Sequence, residues 1–455
     1  MMNGLLEASN NGERKWMYPL IRKGNYYKWR SLLSYVYIIL FFSAPFIRIG
    51  GQPLLLLNVI DRHFVILGQQ FWPQDIFLFM LASLVFIVCV VLFTIAFGRI
   101  FCGWICPQTI FMEMVFRKIE VWIEGDGNKQ KKLNAAPWDK EKIRKKGLKH
   151  ALFLLVSFLI ANTFLAYIIG SESLKEIIVE PITLHWVGFS SIWVFTIVFY
   201  LVYSQVRELV CTVICPYGRL QGVLMDEHTL VVAYDDVRGE PRGKLDKTGL
   251  ALRGDCVDCN LCVAVCPTGI DIRNGTQLEC INCTVCIDAC DEVMDKIHKP
   301  RNLIGYFSED MIRSKKKPSF TIRMMGYSSV IVILMSVLCY FIFSRTDMDI
   351  TVMRGSGMLY QEQPGGYISN IYNADITNKA DVNRSIILKP EDPDVKIKYI
   401  QAPGVITRGN DMKTVFFILI PASKIHSFKT DVRLQLISGN KILQTVTTEF
   451  VAPNN

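Results

Sequence analysis

Eight of the fourteen cysteines fall within residues 256–290, as two copies of one spacing. The first copy is Cys256-x2-Cys259-x2-Cys262-x3-Cys266-Pro267, and the second is Cys280-x2-Cys283-x2-Cys286-x3-Cys290. Doubled runs of this kind hold two 4Fe–4S clusters, each bound by the first three thiolates of one run and the last of the other. The expected sets are therefore Cys256, Cys259, Cys262 and Cys290 on one cluster, and Cys280, Cys283, Cys286 and Cys266 on the other. Three cysteines two apart suit a loop wrapped around a cubane, and the exchanged fourth ligand keeps the two clusters close. Zinc sites favour two separated pairs, which these uninterrupted runs are not. A disulfide framework needs an oxidising compartment, and the topology below places this window in the cytoplasm. Asp291 follows the last cysteine where the first copy has Pro267, which removes no ligand but changes the charge beside one cluster.

About half of the 455 residues are apolar, and they gather in blocks. Five blocks approach the ~20 residues that cross a bilayer: 31–49, 75–98, 150–170, 186–206 and 325–344. Ser43-Ala44-Pro45 lies inside the first block rather than forming a cleavage site, so that block reads as a retained anchor. Basic residues then set the orientation. Arg14, Lys15, Arg22, Lys23, Lys28 and Arg30 precede the first block. Lys129, Lys131, Lys132, Lys140, Lys142, Arg144, Lys145, Lys146 and Lys149 lie between the second and third, and Arg313, Lys315, Lys316, Lys317 and Arg323 precede the fifth. The loops 50–74 and 171–185 hold only Arg62 and Lys175. The N-terminus and the cysteine window are thus expected inside, and the C-terminal segment outside. The net charge of +9 is accounted for by topogenic residues beside anionic lipid, with no nucleic-acid partner.

Four further cysteines form a matched pair of motifs, Cys102-Gly103-Trp104-Ile105-Cys106-Pro107 and Cys211-Thr212-Val213-Ile214-Cys215-Pro216. Each follows a helical hairpin, which makes blocks one–two and three–four two related units. A spacing of four puts both cysteines of a motif on one helix face. Proline favours the first helical position, so Cys106 and Cys215 are expected at the N-termini of helices over Thr109–Glu124 and Tyr217–Met225. The positive end of a helix favours thiolate over thiol. Cys102, Cys106, Cys211 and Cys215 are therefore candidate redox or soft-metal thiols. Four such ligands suit Cu(I), making copper the second candidate cofactor, although a dithiol–disulfide couple or a further iron centre fits the spacing equally. Cys89 and Cys339 read as small buried residues of apolar helices, and Met112 and Met114 as packing residues.

The last 110 residues alternate in short runs such as Thr414–Ile420 and Val432–Ile437, between turn signals at Pro364-Gly365-Gly366, Arg408-Gly409-Asn410-Asp411 and Ser438-Gly439-Asn440. This is the pattern of an antiparallel sandwich. The expected organisation is a multidomain integral membrane protein with five transmembrane helices. A basic N-terminal segment spans 1–30, and a four-helix membrane part with both Cys-x3-Cys-Pro units spans 31–225. A ferredoxin-like α+β module with two clusters covers 226–312, a basic stop and fifth helix 313–345, and an all-β immunoglobulin-like domain 346–455. There is no Gly-x-Gly-x-x-Gly after a strand, no Walker loop and no Cys-x-x-Cys-His, so nucleotide cofactors and covalent haem have no visible home.

Together these features resemble the cytochrome c oxidase accessory proteins of the CcoG/FixG/RdxA type. The resemblance runs along most of the chain. It includes Phe71-Trp72-Pro73-Gln74-Asp75, both Cys-x3-Cys-Pro motifs, Arg238-Gly239-Glu240-Pro241-Arg242-Gly243 and the stretches Gly254–Gly275 and Leu278–Lys296. It implies a bacterial inner-membrane oxidoreductase that reduces Cu(II) to Cu(I) for assembly of a cbb-type oxidase, with the sandwich in the periplasm. Asp291 is ordinary within that family. The expected partners are membrane lipid, oxidase assembly factors or copper carriers, and an unidentified electron donor for which quinol is one candidate; a second copy of the chain is a further candidate, with the oligomeric state left open. Two alternatives stand beside it: a quinol-linked subunit passing electrons through the clusters to a partner, and a non-catalytic assembly scaffold.

Overall fold

The computed structural model describes residues 16–49, 51–58, 63–66, 69–71, 76–244, 253–315, 321–344, 348–355, 359–379, 383–407, 410–425, 427–439 and 441–453. Arg14, Lys15, Arg62, Trp72–Asp75, Lys316, Lys317, Arg408, Gly409 and Asn440, named above, lie outside them. The chain falls into two compact units, Met1–Leu338 and Cys339–Asn455.

Among the described residues, four helices are long and apolar enough to cross a membrane: Phe77–Phe97, Lys140–Ile169, Trp186–Val206 and Ile322–Phe343. They correspond to the second through fifth expected blocks. The first block, expected at 31–49, is helix α1 over Asn25–Ser43, displaced towards the N-terminus and not among those four. Its early turns carry Lys28 and Arg30, and Pro45 lacks the N–H that would continue it.

The membrane part is built from α2 (Ile76–Phe97), the short α3 (Ile100–Trp104) and α4 (Pro107–Ile110), α5 (Arg117–Glu124), α6 (Gly127–Ala135), α7 (Lys140–Ile169), α8 (Ser171–Val179), α9 (Trp186–Leu201) and α10 (Pro216–Leu224). A π-helical turn over Phe111–Phe116 joins α4 to α5, and two more cover Val202–Val206 and Val210–Ile214. Asp139 caps α7 by accepting from the Lys142 N–H at 2.7 Å. Gly170 ends the same helix at φ +89°, where a Cβ would be strained. Phe111, Met112, Phe116, Phe153, Ile160 and Tyr203 form the core between these helices, with Phe116 stacked on Tyr203 at 4.3 Å. Met112 is thereby a packing residue.

The cysteine-rich segment pairs β1 (Val231–Tyr234) with β2 (Ile304–Phe307) antiparallel, and adds helices α11 (Leu261–Ala264) and α12 (Val285–Lys296). Val232, Ile270, Ile272, Ile287, Met294, Leu303 and Ile304 make its small apolar core. The second unit is all β. Two of its longest strands, Tyr367–Asn378 and Asp411–Pro421, pair along their length inside a five-stranded sheet. A three-stranded sheet holds Ile387–Pro390, Lys429–Ser438 and Lys441–Val451. Tyr372, Ile376, Phe416, Leu434 and Phe450, drawn from both sheets, share one core. That shared core makes the unit a sandwich.

Candidate metal centre

The eight clustered thiols line two neighbouring cavities. Cys256, Cys259, Cys262 and Cys290 line one, together with Arg273 and Leu303. Cys266, Cys280, Cys283 and Cys286 line the other, with Cys262 on the shared wall. Backbone conformation repeats with the spacing. Asp258 (φ 50°) and Asn260 (φ 57°) flank Cys259, while Asn282 (φ 51°) and Thr284 (φ 65°) flank Cys283. Four non-glycine residues in the left-handed region at matched places are costly, and such strain collects at functional sites. Their alternation curls each loop around its cavity, so the repeat in sequence is also a repeat in shape.

Burial pushes the Cys280 and Cys290 thiols up to about 12, with neighbouring thiols adding to the shift. It pushes Cys262 and Cys283 up to about 11. These groups are neutral thiols when metal-free, and they become thiolates only against bound cations. Among the described residues no three His, Cys, Asp or Glu side chains are close enough to hold a single metal ion. Thiols set around a cavity rather than meeting at a point suit a polynuclear cluster better than zinc.

The two Cys-x3-Cys-Pro motifs come to this centre from the membrane side. Cys102, Ile281 and Cys283 share one buried apolar patch, with Cys211 and Tyr217 packed against it. The Cys102 Sγ donates to Gln221 Oε1 at 3.3 Å, and Thr109 Oγ1 lies 3.9 Å from Cys211 Sγ. Burial raises Cys102, and burial together with Cys106 raises Cys211 to about 12. Cys106 and Cys215 occupy the N-cap positions of α4 and α10, with proline as the first helical residue in each case. The single helix face expected for each cysteine pair does not form. Cys106 (ψ 125°) and Cys215 (ψ 113°) leave the helical region because the following proline disfavours it.

Several residues that hold the centre together carry no signal in the sequence. Gly103 lies flat against the Cys280–Cys283 loop, where a Cβ would stand 2.4 Å from the Ile281 carbonyl oxygen. Arg30 Nε donates to the Gly103 carbonyl at 2.8 Å, and Arg99 Nε to Gln221 Oε1 at 2.8 Å. Asn282 Oδ1 accepts from the Val232 N–H at 3.3 Å, tying the loop to β1. The Asp288 carboxylate accepts the Tyr26 and Tyr27 N–H groups at 3.1 and 2.8 Å, closing the N-terminus of α1. Beneath the motifs, Glu120 makes a two-pronged pair with Arg207 at 2.7 and 2.8 Å, both side chains buried. Glu124 takes Lys146 and Lys149 at 3.0 and 3.1 Å. These groups border a cavity of ≈ 430 Å³ that also meets Trp138, His150 and Ser204.

Residues 206–309 match a family described as a 4Fe-4S dicluster domain, and residues 79–125 one described as a 4Fe-4S binding domain. Residues 338–453 match the immunoglobulin-like fold at the C-terminus of FixG. Protein RdxB of Cereibacter sphaeroides is 36% identical over 82% of this chain and 81% of its own length. The chain belongs to the FixG/RdxA family. Protein RdxA of the same organism is 36% identical over 76% of each chain. Nitrogen fixation protein FixG of Rhizobium meliloti is 38% identical over 65% of this chain, which spans only 57% of that relative's length. A crystal structure of a FixG-related protein from Vibrio parahaemolyticus covers 24% of the chain and 97% of its own, at 17% identity and a TM-score of 0.21. The protein is accordingly an iron–sulfur redox protein with membrane-spanning helices.

Proposed function

We propose that this member of the FixG/RdxA family transfers electrons to Cu(II), reducing it to Cu(I) for assembly of a cbb-type cytochrome c oxidase. Cys256, Cys259, Cys262 and Cys290 hold one 4Fe–4S cluster in this reading, and Cys266, Cys280, Cys283 and Cys286 the other. When bound, the clusters supply single electrons, one for each Cu(II) converted to Cu(I). The observation that carries the reading is the patch shared by Cys102, Ile281 and Cys283, which sets a membrane-side thiol against the loop of the second cysteine set. Cys102, Cys106, Cys211 and Cys215 offer soft donors that favour the cuprous product. The copper and oxidase parts rest on the family resemblance. In the same reading α1 also crosses the membrane, as the first of five spans, the N-terminus and iron–sulfur segment are cytoplasmic, and the sandwich is periplasmic, where assembly factors or copper carriers meet it.

The test is to add Cu(II) to prereduced protein without oxygen and follow cluster bleaching and Cu(I) formation together. A variant with Cys102, Cys106, Cys211 and Cys215 all changed to serine, its iron content verified, is the comparison. Stoichiometric Cu(I) from the native chain and none from the variant supports the thiol route; equal yields remove those thiols from it. A second reading, the quinol-linked relay, is favoured by the ≈ 430 Å³ cavity, whose Trp138 and His150 offer ring surfaces. No copper reduction by either protein, with cluster reduction by quinol, would establish that reading instead.

A further inference from the structure

Arg30 and Arg99 are each only 2% exposed. Among the described residues neither forms an ion pair, and each keeps an Nη2 with no hydrogen-bond partner. Their bonds go to uncharged groups: Arg30 to the Gly103 carbonyl, and Arg99 to Gln221 and the Leu278 carbonyl, with the Cys102 thiol also set against the Arg99 guanidinium. Glu113, which borders the same small cavity as Arg30, is held by Arg117 at 2.9 Å. Two buried, uncompensated guanidiniums are strongly unfavourable unless negative charge lies beside them.

The backbone identifies where that charge sits. Leu278 is two residues before Cys280, and the helical turn at Gly103 rests on Ile281 and Asn282. Both cations therefore flank the Cys280–Cys283 loop. The other cysteine set has no such excess. Arg273, which lines its cavity, is consumed by Asp258 at 2.6 Å and Asp271 at 2.7 Å, and Asp291 adds a carboxyl beside Cys290.

We propose that Arg30 and Arg99 are the countercharges of the cluster held by Cys266, Cys280, Cys283 and Cys286, and that they set its reduction potential above that of the cluster held by Cys256, Cys259, Cys262 and Cys290. The inference rests on the ligand sets proposed above. Reduction adds one electron and makes or breaks no bond, so the two sites differ through the charge each must absorb. Unpaired cations in a low-dielectric setting stabilise that added charge, and paired ones largely do not.

The experiment is a dithionite titration of the full-length protein in detergent, followed by electron paramagnetic resonance, with iron counted in every sample. The variants are Arg30→Gln and Arg99→Gln, with Arg30→Lys and Arg99→Lys to restore charge and Cys286→Ser to mark which signal belongs to the second set. Native protein should show two one-electron waves, with the Cys286→Ser change confined to the higher. Each glutamine variant should lower that wave alone by at least a tenfold change in its reduction equilibrium, about 59 mV for one electron, and the lysine variants should recover most of it. Waves that stay in place, move together, or fall equally in the lysine variants, at full iron content, overturn the arginine proposal and leave the ligand sets standing. Native protein with well under about eight iron atoms per chain overturns both.

Discussion

Gly103 decides how closely the membrane part approaches the iron–sulfur loop. The atoms its Cβ would strike are the Ile281 carbonyl oxygen at 2.4 Å and the Asn282 backbone at 3.0 Å, and neither can rotate away as a side chain could. Gly103→Ala should cost about 1–3 kcal/mol, seen as a lower thermal midpoint and faster loss of iron to a chelator. Unchanged values for both would show that the loop does not depend on this approach. Asn282→Ala should cost about 2–3 kcal/mol, since it strands the Val232 N–H and places a Cβ residue without a polar side chain at φ 51°. Asn282→Gly should recover the conformational part alone, and equal losses in the two variants would contradict that division. The cysteine spacing announced its own chemistry because all eight residues lie in one short window. Gly103 and Asn282 announce nothing, since their importance arises only when segments far apart in the chain meet.

The Glu120–Arg207 pair joins the two elements that carry the thiol motifs. Glu120 continues from the helix that Cys106 caps, and Arg207 lies four residues before Cys211. Burial alone would raise the Glu120 carboxyl, but Arg207 and Lys149 outweigh it and hold the group below its ordinary value. A carboxylate depressed in the folded state contributes stability above its unfolded value, near 4.3, and loses it as pH falls through the folded one. Glu120→Gln should destabilise the protein by about 3–5 kcal/mol near pH 7 and flatten the acid limb of its unfolding profile below about pH 4. An acid limb as steep as the native one would assign that limb to other carboxylates. At this scale the sequence was partly legible. Pro107 and Pro216 marked helix starts correctly, but the same prolines broke the helix between the paired cysteines, which a spacing of four does not reveal. The π-helical turn at Phe111–Phe116 has no sequence signature, because a widened turn uses the same residue types as a regular one.

Across the whole molecule, the two units draw on different sources of stability. The sandwich has a dense core of Tyr372, Phe416 and Phe450 and no cysteine in its strands, whereas the iron–sulfur segment has a small core and eight clustered thiols. Full-length protein should therefore unfold in two transitions. Removing iron with a chelator should lower one by about 4–10 °C, on the order of 2–4 kcal/mol, and leave the other within error. A single transition that shifts as one would show that the units unfold together. Block hydropathy located four of the helices, and alternation located the long strands, because both patterns are local. Charge counting was less informative: Arg30 was grouped with topogenic residues, yet it is enclosed by protein. The clasp at Asp288 has a consequence for biosynthesis. Tyr26 and Tyr27 leave the ribosome 262 and 261 residues ahead of the carboxylate that receives their N–H groups. The N-terminus of α1 therefore stays open through synthesis until the second cysteine run has been translated.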